Sequence, residues 1–172
     1  MKYYIMSQDK RIQKGIQFAE FSTQQSIELG TEYIGKMKKS VTLHVQDEIH
    51  TIFSEVIEAP WLMVSDKVYK VIQMYDSDIA FSNAILSLKT QEVPLIYKIV
   101  LVDRIDCLHE STEFYKDRSI KRLVLDYGKI REQHLFRIEG ISPNYMVVSM
   151  AVVESLLRRH CVGIQFQEIE LA

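Results

Sequence analysis

His160 and Cys161 stand next to each other in the stretch "RRHCVGIQF", and they are the residue types of a Cys–His catalytic pair. Such a pair needs the imidazole within reach of the thiol, and its members usually come from distant positions in the chain. Neighbours at a helix end point about 100° apart, which argues against a dyad. The pattern instead predicts that His160 closes a helix, with Arg158 and Arg159 suiting the helix dipole, and that Cys161 enters the core.

Acidic side chains are the second candidate for chemistry. Four follow the most apolar segment of the chain, and two follow a predicted helix. Carboxylates in this setting can do acid–base work, hold a metal ion or face a partner. Most acidic loops are simply solvated, and of the functional roles a partner-facing surface is favoured over catalysis or metal binding. We therefore predict partner binding and no catalytic residues. The six residues of this predicted surface are Asp76, Asp78, Asp103, Asp106, Glu110 and Glu113.

Metal and cofactor signatures are missing from the sequence. Cys107, His109, His160 and Cys161 have the ligand types of a zinc site but not the paired spacings that identify one. His44 and His50 miss the spacing of a helical zinc pair, and they are expected at the surface around a strand end. No phosphate-binding glycine loop or nucleophile elbow occurs. The sequence therefore predicts neither a metal nor a cofactor.

Charge and cysteine content restrict the partners and the compartment. The net charge is −2, from 21 basic and 23 acidic residues, so no field of one sign attracts nucleic acid or an anionic membrane. The opening residues turn polar too soon for a signal peptide, and no apolar run is long enough to cross a bilayer. Two distant cysteines need no disulfide. We expect a cytoplasmic protein that binds neither nucleic acid nor membrane.

Hydrophobic patterning predicts an α+β fold. The chain has 172 residues, 47% of them hydrophobic, which fits one domain over residues 1–172. Strands are predicted at 2–6 and 41–45, at 94–102 with both faces covered, and half exposed at 120–126 and 135–140. "SDKVYKVIQMY" predicts a helix capped by Ser65, and a weaker helix is predicted around 23–37. The expected architecture is a central mixed or antiparallel sheet with packed helices.

An internal repeat is predicted, with units at about 52–86 and 135–171. The matching residues drift in offset from 83 to 85, and each slip falls at a predicted boundary where an insertion is tolerated. Each unit is predicted to run strand, proline turn, short strand, Ser-capped helix, turn and strand. The paired residues are Phe53 with Phe136, Pro60 with Pro143, Val64 with Val148, Ser65 with Ser149, Val68 with Val152, Ile79 with Ile164 and Phe81 with Phe166.

Four segments, taken in order and spacing, resemble a family of bacterial immunity proteins from polymorphic toxin systems. They are "WLMVSDKVYKVIQMYDSDIAF", "YKIVLVDRIDCLHESTEF", "IKRLVLD" and "LFRIEGISPNYMVVSMAVVESLLRRHCVGIQFQEIEL". The match covers about residues 61–171, and residues 7–60 are not placed by it. "HCVG" stands where the family pattern has "ltG", so Cys161 is not a family signature.

The resemblance implies a cytoplasmic protein that binds a toxin encoded by an adjacent gene and neutralises it stoichiometrically, without catalytic residues. Such inhibitors present a surface of aromatic anchors and charges and need no reactive centre. Two alternatives stay open from the residues alone. One is a small cytoplasmic hydrolase or transferase using Cys161 or the Asp103 and Asp106 pair, and the other is a regulatory binding module without a toxin partner.

Overall fold

Strands and short helices alternate along the chain. The computed structural model describes residues 1–12, 16–19, 40–46, 51–59, 61–141 and 145–172. The strands of this part of the chain are β1 (Tyr3–Gln8), β2 (Gln17–Phe18), β3 (Ser40–Gln46), β4 (Val56–Ile57), β5 (Met63–Ser65), β6 (Ala80–Ser87), β7 (Leu95–Leu101), β8 (Arg104–Ile105), β9 (Glu113–Phe114), β10 (Ile120–Arg122), β11 (Val124–Leu125), β12 (Leu135–Ile138), β13 (Met146–Ser149), β14 (Ile164–Glu168) and β15 (Glu170–Leu171). Its helices are α1 (Asp66–Gln73), α2 (Tyr127–Ile130) and α3 (Met150–Arg158).

Two mixed sheets contain most of the strands. Among the described residues, one has the strand order β2-β3-β6-β7-β5-β4 and the other has β14-β1-β13-β12-β8. In these two sheets, β3 pairs with β6 in parallel and β8 pairs with β12 in parallel, while the other pairs are antiparallel. Two small sheets, β9–β10 and β11–β15, complete the strand pairing. The predicted α+β fold with mixed sheets is confirmed.

The predicted Ser65 cap is confirmed at the start of α1. Ser65 ends β5 in an extended conformation, and its Oγ accepts a hydrogen bond from Val68 N at 3.2 Å. Val68, Val71 and Ile72 are buried on one side of the helix, as the apolar spacing predicts. The capping residue therefore sets where the helix begins, and the apolar spacing sets which face it buries.

A shared core joins the two sheets. α1 and α3 contact each other, and their buried residues form a cluster with Val64 and Val100 of the first sheet and with Met6 and Val148 of the second. The opposite faces bury separate clusters, one on the first sheet around Leu43 and Met63 and one on the second around Tyr3 and Phe136. The helix pair thus lies between the two sheets.

The predicted exposure of two strands was wrong. All four residues of β12 are buried, including Arg137, although 135–140 reads as half exposed. Both faces of β12 are covered, because Leu135 packs in the core shared with the helices, and Phe136 and Ile138 pack in the cluster around Tyr3. β7 was expected to be covered on both faces, but its first half is not, and Ile96 is 54% exposed. α1 covers only part of this face of the sheet.

The two predicted repeat units have the same order of elements. β4, β5, α1 and β6 correspond to β12, β13, α3 and β14. In the sheets, β4-β5-β7-β6 corresponds to β12-β13-β1-β14, so β1 takes in the second unit the place that β7 has in the first. A common origin of the units stays a prediction. Pro60, Pro143, His50 and the helix predicted around 23–37 lie outside the described residues.

Candidate interaction surface

His160 and Cys161 lie in the turn that ends α3. His160 has a left-handed backbone, with φ 51°, and its N donates to Leu157 O at 3.0 Å. Cys161 N donates to Leu156 O at 3.2 Å. These two bonds define a Schellman motif, which satisfies carbonyls that the last helical turn leaves free. The prediction that this pair punctuates a helix end agrees with the geometry.

Gly163 packs this turn closely against two other segments of the same polypeptide. Its φ is 71°, and a Cβ at this position would lie 2.5 Å from Ser54 Cβ. Backbone bonds from Asp9 N to Gly163 O (3.0 Å) and from Glu55 N to Val162 O (3.2 Å) complete the contact. Only glycine combines this conformation with so close an approach. The "HCVG" stretch is therefore a close packing contact between the two repeat units.

Neither thiol has the surroundings of a reactive cysteine. Burial raises the pKa of Cys107 to about 11, and Asp106 adds to the rise. Burial also raises the pKa of Cys161, and the nearby Glu55 carboxylate reinforces this effect. An activated thiol needs a lowered pKa, because the thiolate is the nucleophile. The electrostatic surroundings of both cysteines thus disfavour the thiolate.

One buried polar pair was missed from the sequence. His134 Nδ1 lies 2.8 Å from Ser149 Oγ, at the junction of β13 and α3. Ser149 is completely buried, so a substrate has no path to its hydroxyl. In the first unit the matching Ser65 donates to the Glu55 carboxylate. The pair at Ser149 is therefore a structural link, and no sequence spacing identifies it. The prediction of a Ser side-chain cap in the second unit was wrong, because the Ser149 hydroxyl contacts His134 and makes no cap bond at α3.

Three of the predicted acidic residues meet at one end of the first sheet. Ala80 of β6 is opposite Leu101 of β7, so Asp78 and Asp103, each two residues beyond, lie at the same end of this strand pair. Asp76 shares the turn with Asp78, whose N donates to Asp76 Oδ1 at 3.2 Å. Asp78 and Asp103 are exposed. These three residues form one small acidic edge.

The other three acidic residues continue along the chain towards the second sheet. Asp106 has Lys129 Nζ at 3.9 Å. Glu113 accepts from Lys121 Nζ at 2.6 Å, and this bond lowers the pKa of Glu113. Glu110 is exposed. Within the described ranges, no group of three or more His, Cys, Asp or Glu side chains is placed to hold a metal ion. The role of the six acids in partner binding stays a prediction.

The β9–β10 hairpin, residues 113–122, exposes two aromatic rings that were not predicted to be functional from the sequence. Phe114 is 45% exposed and Tyr115 is 57% exposed. Phe114 ends β9 and Tyr115 directly follows it, and the hairpin forms a two-stranded sheet that pairs with no further strand of the described chain. Aromatic residues next to turn formers in a charged segment, "EFYKDRS", were the available signal.

A second exposed apolar patch lies on the first sheet, around Phe81 and Ile96. Phe81 is 43% exposed, but its ring contacts the Tyr69 ring, with centroids 4.7 Å apart. Lys98 Nζ lies 4.5 Å from the centroid of the Phe81 ring and donates to Asn83 Oδ1 at 2.6 Å. The aromatic ring and the cation of this patch are thus already engaged within the molecule.

The comparison with protein-family models identifies the chain. The model of the immunity protein family Imm11 matches residues 3–171, nearly the whole sequence. The protein therefore belongs to this immunity protein family, as the resemblance over residues 61–171 predicted. The family match also includes residues 7–60, which the sequence motifs did not place. No curated protein matches the chain.

Proposed function

We propose that this protein binds a cognate bacterial toxin and neutralises it stoichiometrically, by forming a complex with the toxin and not by a chemical reaction with it. The observation that carries the proposal is the family match over residues 3–171. The raised pKa values of both cysteines and the burial of Ser149 support a binding role over nucleophilic catalysis. Inhibition by binding needs a well-formed surface and no reactive centre.

The cytoplasm is the proposed site of action. Cys107 and Cys161 are free thiols, which suits a reducing compartment. No helix of the described ranges is long and apolar enough to cross a membrane. The near-neutral charge of −2 supports a protein partner over nucleic acid.

Co-expression with the toxin gene expected next to this one tests the proposal. We expect the protein to restore growth of cells that produce the toxin, and an affinity tag on either chain to recover both. Urea unfolding should first show that the protein used is folded. A folded protein that gives neither rescue nor a complex with any neighbouring gene product would remove the proposal.

A further inference from the structure

We infer that the β9–β10 hairpin is the part of this protein that docks on the toxin, and that it fits an apolar pocket bordered by acidic residues. The inference rests on the proposed function, because it names the toxin as the occupant. It assigns the central contact to Phe114 and Tyr115 and the electrostatic contact to Lys116 and Arg118.

The two rings have the composition and setting of interface anchors. Phe114 and Tyr115 are adjacent, large and about half exposed, and neither is engaged by another ring or by a cation in the described chain. Binding energy at protein interfaces is concentrated on a few such residues, with Trp, Tyr and Arg enriched among them. Phe81, by contrast, is held by Tyr69 and Lys98.

The charge of the hairpin points to an acidic partner. It contains four basic and two acidic residues, in a chain whose net charge is −2. Both acids are satisfied internally: Glu113 accepts from Lys121, and Asp117 Oδ1 accepts from Ser119 N at 3.0 Å and Ser119 Oγ at 2.6 Å. Arg122 pairs with Glu170. The side chains of Lys116 and Arg118 have no hydrogen bond or ion pair in the described residues, so they can meet carboxylates on a partner.

The hairpin is also held in shape before it meets a partner. Tyr115 N donates to Ser119 O at 2.8 Å, and Arg118 N donates to Tyr115 O at 3.0 Å. At its base, Thr112 Oγ1 donates to Val124 O at 2.7 Å and accepts from Val124 N at 3.1 Å. A surface fixed in advance loses less conformational entropy on binding, which favours affinity.

The left-handed backbone of Arg118 makes a sharp variant available. Its φ is 65°, a conformation that glycine adopts without strain. Arg118→Gly removes one docking cation and relaxes the turn together. We therefore expect its urea unfolding midpoint to equal or exceed that of wild type while toxin binding weakens. A variant that is merely less stable would instead show both a lower urea unfolding midpoint and weaker toxin binding.

The test measures affinity for the purified toxin polypeptide encoded beside this gene, at 50 and 300 mM NaCl. We expect Phe114→Ser/Tyr115→Ser to lose at least about a hundredfold in affinity at both salt concentrations. Lys116→Glu/Arg118→Gly should lose about tenfold at low salt, mostly in the association rate, and less at high salt. The apolar control is Phe81→Ser/Ile96→Ser, and the charge-matched control is Lys70→Glu/Arg158→Gln. Both controls should stay within about threefold of wild type.

Each outcome separates the inference from the proposed function. Wild type that binds and protects, with hairpin variants that bind equally well, overturns the inference alone. So does a loss confined to Asp78→Lys/Asp103→Lys or to the Phe81 control, since either would place the contact elsewhere. Binding of a 20-nucleotide single-stranded RNA that only the hairpin variants lose, at unchanged toxin affinity, assigns the hairpin to nucleic acid. Wild type that fails to bind the toxin removes the proposed function and the inference with it.

Discussion

At the scale of single residues, the side chains that look reactive in the sequence stabilise the fold. His160 supplies the left-handed residue of a Schellman motif, and Ser149 links β13 to His134 from a fully buried position. Burial raises the pKa of the Cys161 thiol, which directly follows His160 in the turn. Sequence reasoning could exclude a His160–Cys161 dyad because the directions of neighbouring side chains follow from helix geometry. It could not find the His134–Ser149 contact, which depends on the pairing of β12 with β13.

The turn after α3 makes a stability prediction. His160→Gly should raise the free energy of unfolding by about 0.5–1 kcal/mol. The strain energy that glycine relieves in the folded protein is larger than the conformational entropy, in free-energy terms, that it adds to the unfolded chain. Gly163→Ala should lower it by about 2 kcal/mol or more, because strain adds to the contact with Ser54. Urea unfolding measures both.

Gly140→Ala is the matched control for Gly163→Ala. Gly140 has φ 78° and no atom within 4 Å of a Cβ built there. Gly140→Ala therefore introduces backbone strain without a steric contact, and it should lower the free energy of unfolding by about 1 kcal/mol. Equal losses in the free energy of unfolding for the two variants would show that the close contact of Gly163 does not contribute to stability.

The thiols make a prediction about pH. A raised pKa means less thiolate at a given pH, so labelling of the folded protein by a thiol reagent at pH 8 should be slow at both cysteines. Labelling of Cys107 should accelerate only as the pH approaches about 11, and both thiols should react quickly in denaturant. Cys107→Ala and Cys161→Ala assign each rate. Rapid labelling of Cys161 at pH 7 in folded protein would support the enzyme alternative.

At the scale of elements, local patterns predicted what local interactions determine. Ser65 and the apolar spacing after it marked α1, and the apolar run at 94–102 marked β7. The burial of β12 was not predictable, because the charge of Arg137 suggests exposure, whereas the two faces of the strand pack in two separate core clusters. The place of β1 between β13 and β14 was equally invisible, since it joins the two ends of the chain. Long-range strand pairing leaves no mark in a short window of sequence.

The contact between α1 and α3 makes a prediction about packing. Tyr75 follows α1, and its hydroxyl donates to Ala151 O at 2.8 Å and lies 2.6 Å from Ser155 Oγ on α3. Tyr75→Phe should lower the free energy of unfolding by about 1–2 kcal/mol, because it leaves these groups without the hydroxyl. Tyr127→Phe, at an exposed hydroxyl, is the control and should be close to neutral. Equal stability of the two variants would mean that Tyr75 does not join the helices.

At the scale of the whole molecule, the sequence predicted the family, while the predicted acidic surface stays a prediction. The ordered motifs of residues 61–171 identified the immunity family, which the family match over 3–171 confirms. The predicted surface of six acids is spread in the structure over a sheet end, a contact with Lys129 and the hairpin. Charge runs are visible in a sequence, but their pairing is not. Exposure of Phe114 and Tyr115 depends on what fails to cover them, which is a property of the complete fold.

If the protein neutralises the toxin by binding it, a titration of toxin activity should show the stoichiometry of that binding. Increasing amounts of folded protein are added to a fixed amount of the toxin encoded beside it, and residual toxin activity is plotted against the molar ratio. We expect toxin activity to fall linearly to an end point at a fixed, near-integral molar ratio, and a complex of matching mass to form. Inactivation that increases with time and becomes complete at amounts far below equimolar would show catalytic turnover and would rule out stoichiometric neutralisation.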